Sequence, residues 1–105
     1  MIQVVVYQKE SGITKISVSG HAYYNEPGKD LVCASVSSIM TGLLNSFVEL
    51  GIQGYNYVLQ DNPAFIEVET KSPTERGNTI LQVGLIQLRT IHEVYPQYIQ
   101  INYRR

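Results

Sequence analysis

The sequence predicts an α+β fold, a two-layer sandwich in which two helices cover one face of a mostly antiparallel sheet. Five short segments carry the β-branched or alternating pattern of strands, and two longer segments repeat apolar residues at helical spacing. Their order along the chain is ββαββαβ. With 105 residues, 44% hydrophobic and 16% charged, we expect residues 1–105 to form a single domain with its own core.

The first two strands form a predicted hairpin. Residues 2–8 (IQVVVYQ) are rich in β-branched side chains, and residues 13–19 (ITKISVS) alternate apolar and polar positions around Ile16 and Val18. Residues 10–12 (ESG) between them are typical of a tight turn.

The first helix is predicted from Leu31 to about Leu50, with Gly51 as a left-handed cap. Asp30 is a residue type favoured at the N-cap, and this would place Cys33 in the first helical turn. Cys33 lies near the edge of the predicted buried arc, which consists of Val32, Val36, Ile39, Met40, Leu43, Phe47 and Leu50.

A second hairpin is predicted from residues 53–60 and 64–70, which are joined by residues 61–63 (DNP). The alternation places one set of side chains on one face and a second set on another. The two sets are Tyr55, Tyr57 and Leu59, and Ala64, Ile66 and Val68.

The second helix is predicted from about Arg76 to Tyr95, and Pro96 ends it. Gly84 lies inside its apolar arc, which indicates close packing of the helix against a neighbouring backbone. The arc consists of Ile80, Leu81, Val83, Leu88, Ile91, Val94 and Tyr95. The alternating residues 98–104 (YIQINYR) predict a short edge strand or an interface strand.

Charge and composition argue against several classes of function. The net charge of −1 gives no cationic field that would attract nucleic acid. No apolar run approaches the roughly 18–20 residues of a membrane span, and the amino terminus lacks an export signal, so we expect a cytoplasmic protein. One cysteine and two histidines are too few for an internal disulfide or a closed structural zinc site, so no metal or cofactor is predicted.

Residues 20–38 (GHAYYNEPGKDLVCASVSS) contain the side chains that could form a catalytic site. Unpaired amides and the macrodipole at a helix start favour an anion such as a thiolate, and the same amides can hold an oxyanion. His21 is near enough in sequence to act as the base for Cys33, and Ser37 follows one turn later on the same face. Spacing alone leaves two interpretations of Cys33 open, a reactive nucleophile and an inert residue. A single cysteine in a helix is often an inert apolar residue.

This stretch resembles the ribosomal-processing cysteine proteases known as Prp, and the resemblance covers essentially the whole chain. A glycine-histidine loop leads into an aspartate and a cysteine-bearing helix, and the closing helix ends at Tyr95-Pro96, before Tyr98-Ile99. The matching positions in the loop and the helix are Gly20, His21, Ala22, Gly28, Asp30, Val32, Cys33, Ala34 and Ser37.

The resemblance implies a peptidase that removes the N-terminal extension of a bacterial large-subunit ribosomal protein, a short segment rich in apolar and aromatic residues. It implies a homodimer, and it makes His21 and Cys33 the catalytic pair. Substrate-binding or supporting positions would be Gly20, Gly28, Asp30, Ala34 and Ser37.

The loop between His21 and Cys33 is thought to move in this family when substrate enters. Gly20 and Gly28 would serve as its hinges. Pro27 stands where many relatives have an aromatic residue, and it restricts one backbone torsion of the loop. Tyr23 and Tyr24 would either contact an aromatic peptide or shield the site from water.

Two other functions fit the same residues. One is a binding module that docks on the ribosome without cleaving anything, with Cys33 as an inert core residue. The other is a small thiol-dependent acyl hydrolase, which would turn over esters or thioesters in preference to peptides.

Overall fold

The computed structural model describes residues 1–20, 27–61 and 63–105, and for residues 27–30 it describes the backbone alone. The predicted order ββαββαβ is confirmed. The elements are β1 (Ile2–Lys9), β2 (Gly12–Ser19), α1 (Pro27–Glu49), β3 (Tyr55–Asp61), β4 (Ala64–Thr70), α2 (Glu75–Val94) and β5 (Ile99–Arg104).

The five strands form one mixed sheet in the order β3-β4-β2-β1-β5. The β1–β2, β2–β4 and β3–β4 pairs are antiparallel, as predicted for most of the sheet, and β5 pairs parallel to β1, with Ile2 opposite Ile99. The prediction of a closing edge strand is therefore confirmed. The strands β3 and β5 form the two edges of the sheet.

The core lies between one face of the sheet and the two helices. Alternate residues of β1 are buried on this face, namely Ile2, Val4 and Val6, as the period of two along a strand requires. Phe47 of α1 and Leu81 of α2 are fully buried against them. The two-layer sandwich with both helices on one face is thus confirmed.

The predicted cap at the end of α1 is confirmed in detail. Gly51 has a φ of +66°, and its amide donates to the Val48 carbonyl oxygen at 3.2 Å. The Ile52 amide donates to the Phe47 carbonyl oxygen at 3.0 Å, and the Ile52 side chain is buried. This pair of hydrogen bonds is the Schellman motif, which requires a left-handed residue at Gly51.

The start of α1 differs from the prediction. The helix begins at Pro27, four residues before Leu31, so Asp30 lies inside the first turn and the prediction that it is the N-cap is wrong. Proline suits the first helical position because its φ is already helical and its missing N–H has no partner to lose there. Counted from Pro27, Cys33 is the seventh helical residue and lies in the second turn.

Parts of both predicted apolar arcs face solvent. Leu50, Val83 and Val94 are 51%, 48% and 63% exposed, whereas Leu44 and Leu85, which were not predicted, are buried. A helical wheel locates the apolar side of a helix, but the neighbouring elements decide which part of that side they cover. Gly84 does pack closely, as predicted, although its neighbour is the side chain of Leu43.

One stretch of α1 is long and apolar enough, by length and composition, to cross a membrane. It is Leu31–Glu49, with a mean hydropathy of 1.6, so the expectation that no segment approaches this limit is wrong for α1. Its apolar residues have a structural use, because Val36, Met40 and Phe47 are buried under the helix against the sheet. A core helix that covers a sheet passes the same test of composition.

Candidate active site

A groove of about 450 Å³ opens between α1 and the end of the sheet where β2 and β3 finish and β4 begins. Residues of α1 form one wall, and residues of the β3–β4 hairpin form the other. The α1 wall consists of Cys33, Val36, Ser37 and Thr41, and the hairpin wall includes Leu59, Asp61, Ala64 and Ile66. Ile2, Val18 and Gly20 complete the lining from β1 and the end of β2.

The hairpin wall exists because β3 lies at the edge of the sheet. Tyr57 pairs with Val68 and Leu59 with Ile66, and directly paired residues project to the same side of an antiparallel sheet. The prediction that the two sets of side chains lie on different faces is therefore wrong. Both sets face the helix layer, yet Tyr57 and Leu59 are 54% and 58% exposed and so remain largely uncovered there.

Cys33 lies at the boundary between the hydrophobic core and the groove. Its side chain is partly buried and packs against the core cluster, while Val32 is fully buried and Ala34 is exposed. The position between core and solvent was predicted from the helical wheel and is confirmed. The expectation that unpaired helix-start amides at or next to Cys33 could hold an oxyanion is wrong, because in a helix that begins at Pro27 only the first four amides lack an intrahelical acceptor.

Gly20 fixes the direction in which the chain leaves the sheet toward His21. Its φ is +93°, its amide donates to the Ala64 carbonyl oxygen at 3.4 Å, and a Cβ at this position would lie 2.7 Å from the Met1 carbonyl oxygen. A glycine is therefore required here. Gly20 lines the same groove as Cys33, although 12 residues separate them, and His21 itself lies outside the described residues.

We expect the substitution Gly20→Ala to lower both stability and activity. The positive φ and the overlap of the new Cβ with the Met1 carbonyl oxygen should lower the unfolding free energy by roughly 2–4 kcal/mol. A backbone shift that relieves this overlap would also displace the point from which the chain continues to His21, and so lower activity. Urea unfolding and peptide cleavage at a temperature where the variant is folded would measure the two effects.

The matched control is Gly51→Ala. Gly51 also has a positive φ, but a Cβ there would meet nothing within 4 Å. It lies beyond the other end of α1, so we expect a loss of about 1 kcal/mol and unchanged cleavage. Equal effects of the two substitutions on cleavage would contradict a positioning role for Gly20.

The other predicted site residues have four different outcomes. Ser37 is exposed and lines the groove beside Cys33, whereas Ala34 is exposed but absent from the described lining. Gly28 and Asp30 lie in the first turn of α1, where the structure describes the backbone alone, so their supporting roles stay predictions. The predictions for Tyr23 and Tyr24 fall, like His21, outside the described residues.

The sequence prediction missed the hairpin wall. Leu59 and Ile66 were assigned to strands and Asp61 to a turn, and no motif marks any of them as part of a site. Their place depends on the pairing of β4 with β2, which brings residues 64–66 beside residues 18–20. Within the part of the chain that the structure describes, no three His, Cys, Asp or Glu side chains form a group that could hold a metal ion.

Known proteins match the chain over almost its whole length. The family model described as cysteine protease Prp matches residues 1–100. The ribosomal processing cysteine protease Prp of Staphylococcus aureus is 30% identical over 106 residues, which cover 99% of this chain and all of that protein.

Two crystal structures of the S. aureus protease are similar to this fold. The structure with a substrate peptide has a TM-score of 0.91 and 27% identity, and the structure with a covalently linked product peptide has a TM-score of 0.88 and 29% identity. Each comparison covers 99% of this chain and all of the other. The match to the family model and the 30% identity show that the chain belongs to the Prp family of cysteine proteases.

Proposed function

We propose that this cysteine protease removes the N-terminal extension of a bacterial large-subunit ribosomal protein in the cytoplasm, with Cys33 as nucleophile and His21 as base. One observation carries the proposal: Cys33 and Gly20, the residue before His21, line the same groove at the end of the sheet. The relatives add support, because the S. aureus protease is named for ribosomal processing and its structures contain a substrate peptide or a covalently linked product peptide.

The proposed reaction has two halves. His21 accepts the thiol proton of Cys33, and the sulfur attacks the scissile carbonyl carbon to form a C–S bond. The tetrahedral intermediate collapses as the C–N bond breaks, and His21 passes its proton to the departing amine. Water then attacks the thioester, His21 takes a proton from it, and the proton returns to the sulfur as the carboxylic acid product leaves.

The direct test uses a peptide that spans the N-terminal extension of the host's own ribosomal protein. We expect the wild-type protein to cleave one bond in it, with the products identified by mass spectrometry. A wild type that binds the peptide and leaves it intact would favour the ribosome-binding module. Turnover of esters or thioesters without peptide cleavage would favour the acyl hydrolase.

We also propose that the chain forms a homodimer through the outer face of its helices. A groove of about 660 Å³ between α1 and α2 includes Leu50 and Val83, which are 51% and 48% exposed. Exposed apolar side chains that line a groove in this way are typical of a protein interface. The placement of both residues in the predicted buried arcs fits a face that a second copy covers.

Sedimentation velocity would test this interface. We expect a dimer for the wild type and a monomer for Val83→Asp, because a carboxylate buried in an apolar interface loses its hydration without gaining a partner. The control is Glu75→Gln, an exposed position at the start of α2. A monomeric wild type at tens of micromolar, or a dimeric Val83→Asp protein, would contradict the proposal.

A further inference from the structure

We infer that Asp61 selects substrates by pairing with a cationic group of the peptide close to the scissile bond. This inference rests on the proposed function, because it assigns a specificity role to a residue in the groove that contains Cys33. Asp61 is the last residue of β3, and neither the sequence motif nor the catalytic pair includes it.

The strand register places Asp61 on the wall of the groove. Asp61 pairs with Ala64 and Leu59 with Ile66, so residues 59 and 61 project to the side of the sheet that faces α1. The Gly20 amide donates a hydrogen bond to the carbonyl oxygen of Ala64, the residue that pairs with Asp61. Asp61 therefore lies at the end of the sheet from which the chain continues to His21. Gln60 and Phe65 project from the opposite face but also line the groove, which therefore extends over the end of the sheet. The Gln60 side chain donates to the Pro63 carbonyl oxygen at 2.9 Å.

Asp61 is the one charged side chain among the described residues of the groove. The rest of the lining is apolar, as at Val36, Leu59 and Ile66, or carries uncharged polar groups, as at Ser37 and Thr41. No lysine or arginine in the described ranges lies within ion-pair distance of Asp61, whose side chain is exposed. A peptide that enters the groove therefore meets a carboxylate that no described cation neutralises.

The groove sets how far the cationic group lies from the scissile bond. Cys33 and Thr41 are eight residues apart on α1, which corresponds to about 12 Å along the helix axis. An extended peptide rises about 3.3 Å per residue, so this wall spans about four residues. The cation should thus lie within about four residues of the bond that Cys33 attacks, and an apolar side chain can contact Leu59 in the same complex.

The test compares peptides that differ at one position. Lysine, norleucine or glutamate is placed in turn at each of the four positions on either side of the scissile bond. A parallel set with an acetylated amino terminus separates a lysine side chain from a terminal ammonium as the cation. Binding is measured by fluorescence anisotropy to the Cys33→Ala protein, and kcat/KM is measured with the active protein.

At one position we expect lysine to improve binding and kcat/KM by about five- to ten-fold over norleucine at low salt, and less at high salt. Asp61→Asn should remove this preference, and Asp61→Lys should transfer it to the glutamate peptide. The control is Glu49→Gln, which removes the same charge at the far end of α1, about 24 Å along the helix from Cys33, and should leave the preference unchanged.

Binding separates failure of the inference from failure of the proposed function. A lysine preference that survives in Asp61→Asn, or wild-type binding that depends neither on lysine nor on a free amino terminus, would overturn the role of Asp61 even if cleavage is normal. Selective, Asp61-dependent binding without cleavage by the wild type would uphold the role of Asp61 and refute the peptidase. If acetylation weakens binding to the wild type but not to Asp61→Asn, and lysine has no effect at any position, the cation is the peptide's amino terminus.

Discussion

Replacement of Cys33 by alanine should lower kcat/KM for the ribosomal-protein peptide by at least about 10³-fold, because the reaction loses the atom that forms the covalent bond. The substitution removes a single sulfur from a partly buried side chain at the edge of the core. We therefore expect the variant to stay folded and to bind the peptide with an affinity similar to that of the wild type. A continuous cleavage assay with thermal unfolding of the same preparations would measure both properties.

Cys33→Ser and Ser37→Ala are the matched variants. A hydroxyl is a much weaker nucleophile than a thiol, so the serine variant should be nearly as inactive as the alanine variant. Ser37 lines the same groove one helical turn away, and its removal should cost less than about ten-fold, since no step of the proposed reaction uses it. Cleavage within ten-fold of wild type by a folded Cys33→Ala protein would refute the nucleophile assignment.

The second large effect is expected for His21→Ala. Loss of the general base should lower kcat/KM by about 10²–10⁴-fold at neutral pH. The residual rate should rise as the pH is raised, because hydroxide can then remove the thiol proton in place of the missing histidine. In the His21→Ala protein, iodoacetamide should alkylate Cys33 more slowly at neutral pH than in the wild type, because no histidine accepts the thiol proton.

His92→Ala is the control for this variant. His92 is the second histidine of the chain and lies in the last turn of α2, so it should leave both the cleavage rate and the alkylation rate unchanged. A His21→Ala protein that keeps the wild-type pH profile would show that another group accepts the thiol proton.

The secondary structure was predictable because each element has a local pattern. Alternation around Ile16 and Val18 marks β2, and Gly51 marks the end of α1. The start of α1 was predicted wrongly because two local signals compete, an N-cap residue type at Asp30 and a proline suited to the first helical position at Pro27. In the structure, the helix begins at Pro27.

The candidate site was predictable only where it is contiguous in sequence. His21 and Cys33 both lie within residues 20–38, and an imidazole near a thiol is a residue pair typical of cysteine enzymes. Asp61 and Leu59 reach the groove through strand pairings between distant segments, and the exposed side of β3 depends on how much of the sheet α1 covers. Neither condition leaves a pattern in the local sequence.

The proposed mechanism requires a covalent bond between Cys33 and the substrate. The measurement that tests it most directly is intact-protein mass spectrometry on samples that are quenched with acid within the first turnover. We expect a transient species heavier than the protein by the mass of the amino-terminal fragment less one water, with the added mass on the peptide that contains Cys33. Full-rate cleavage with no adduct, or an adduct on another residue, would contradict it.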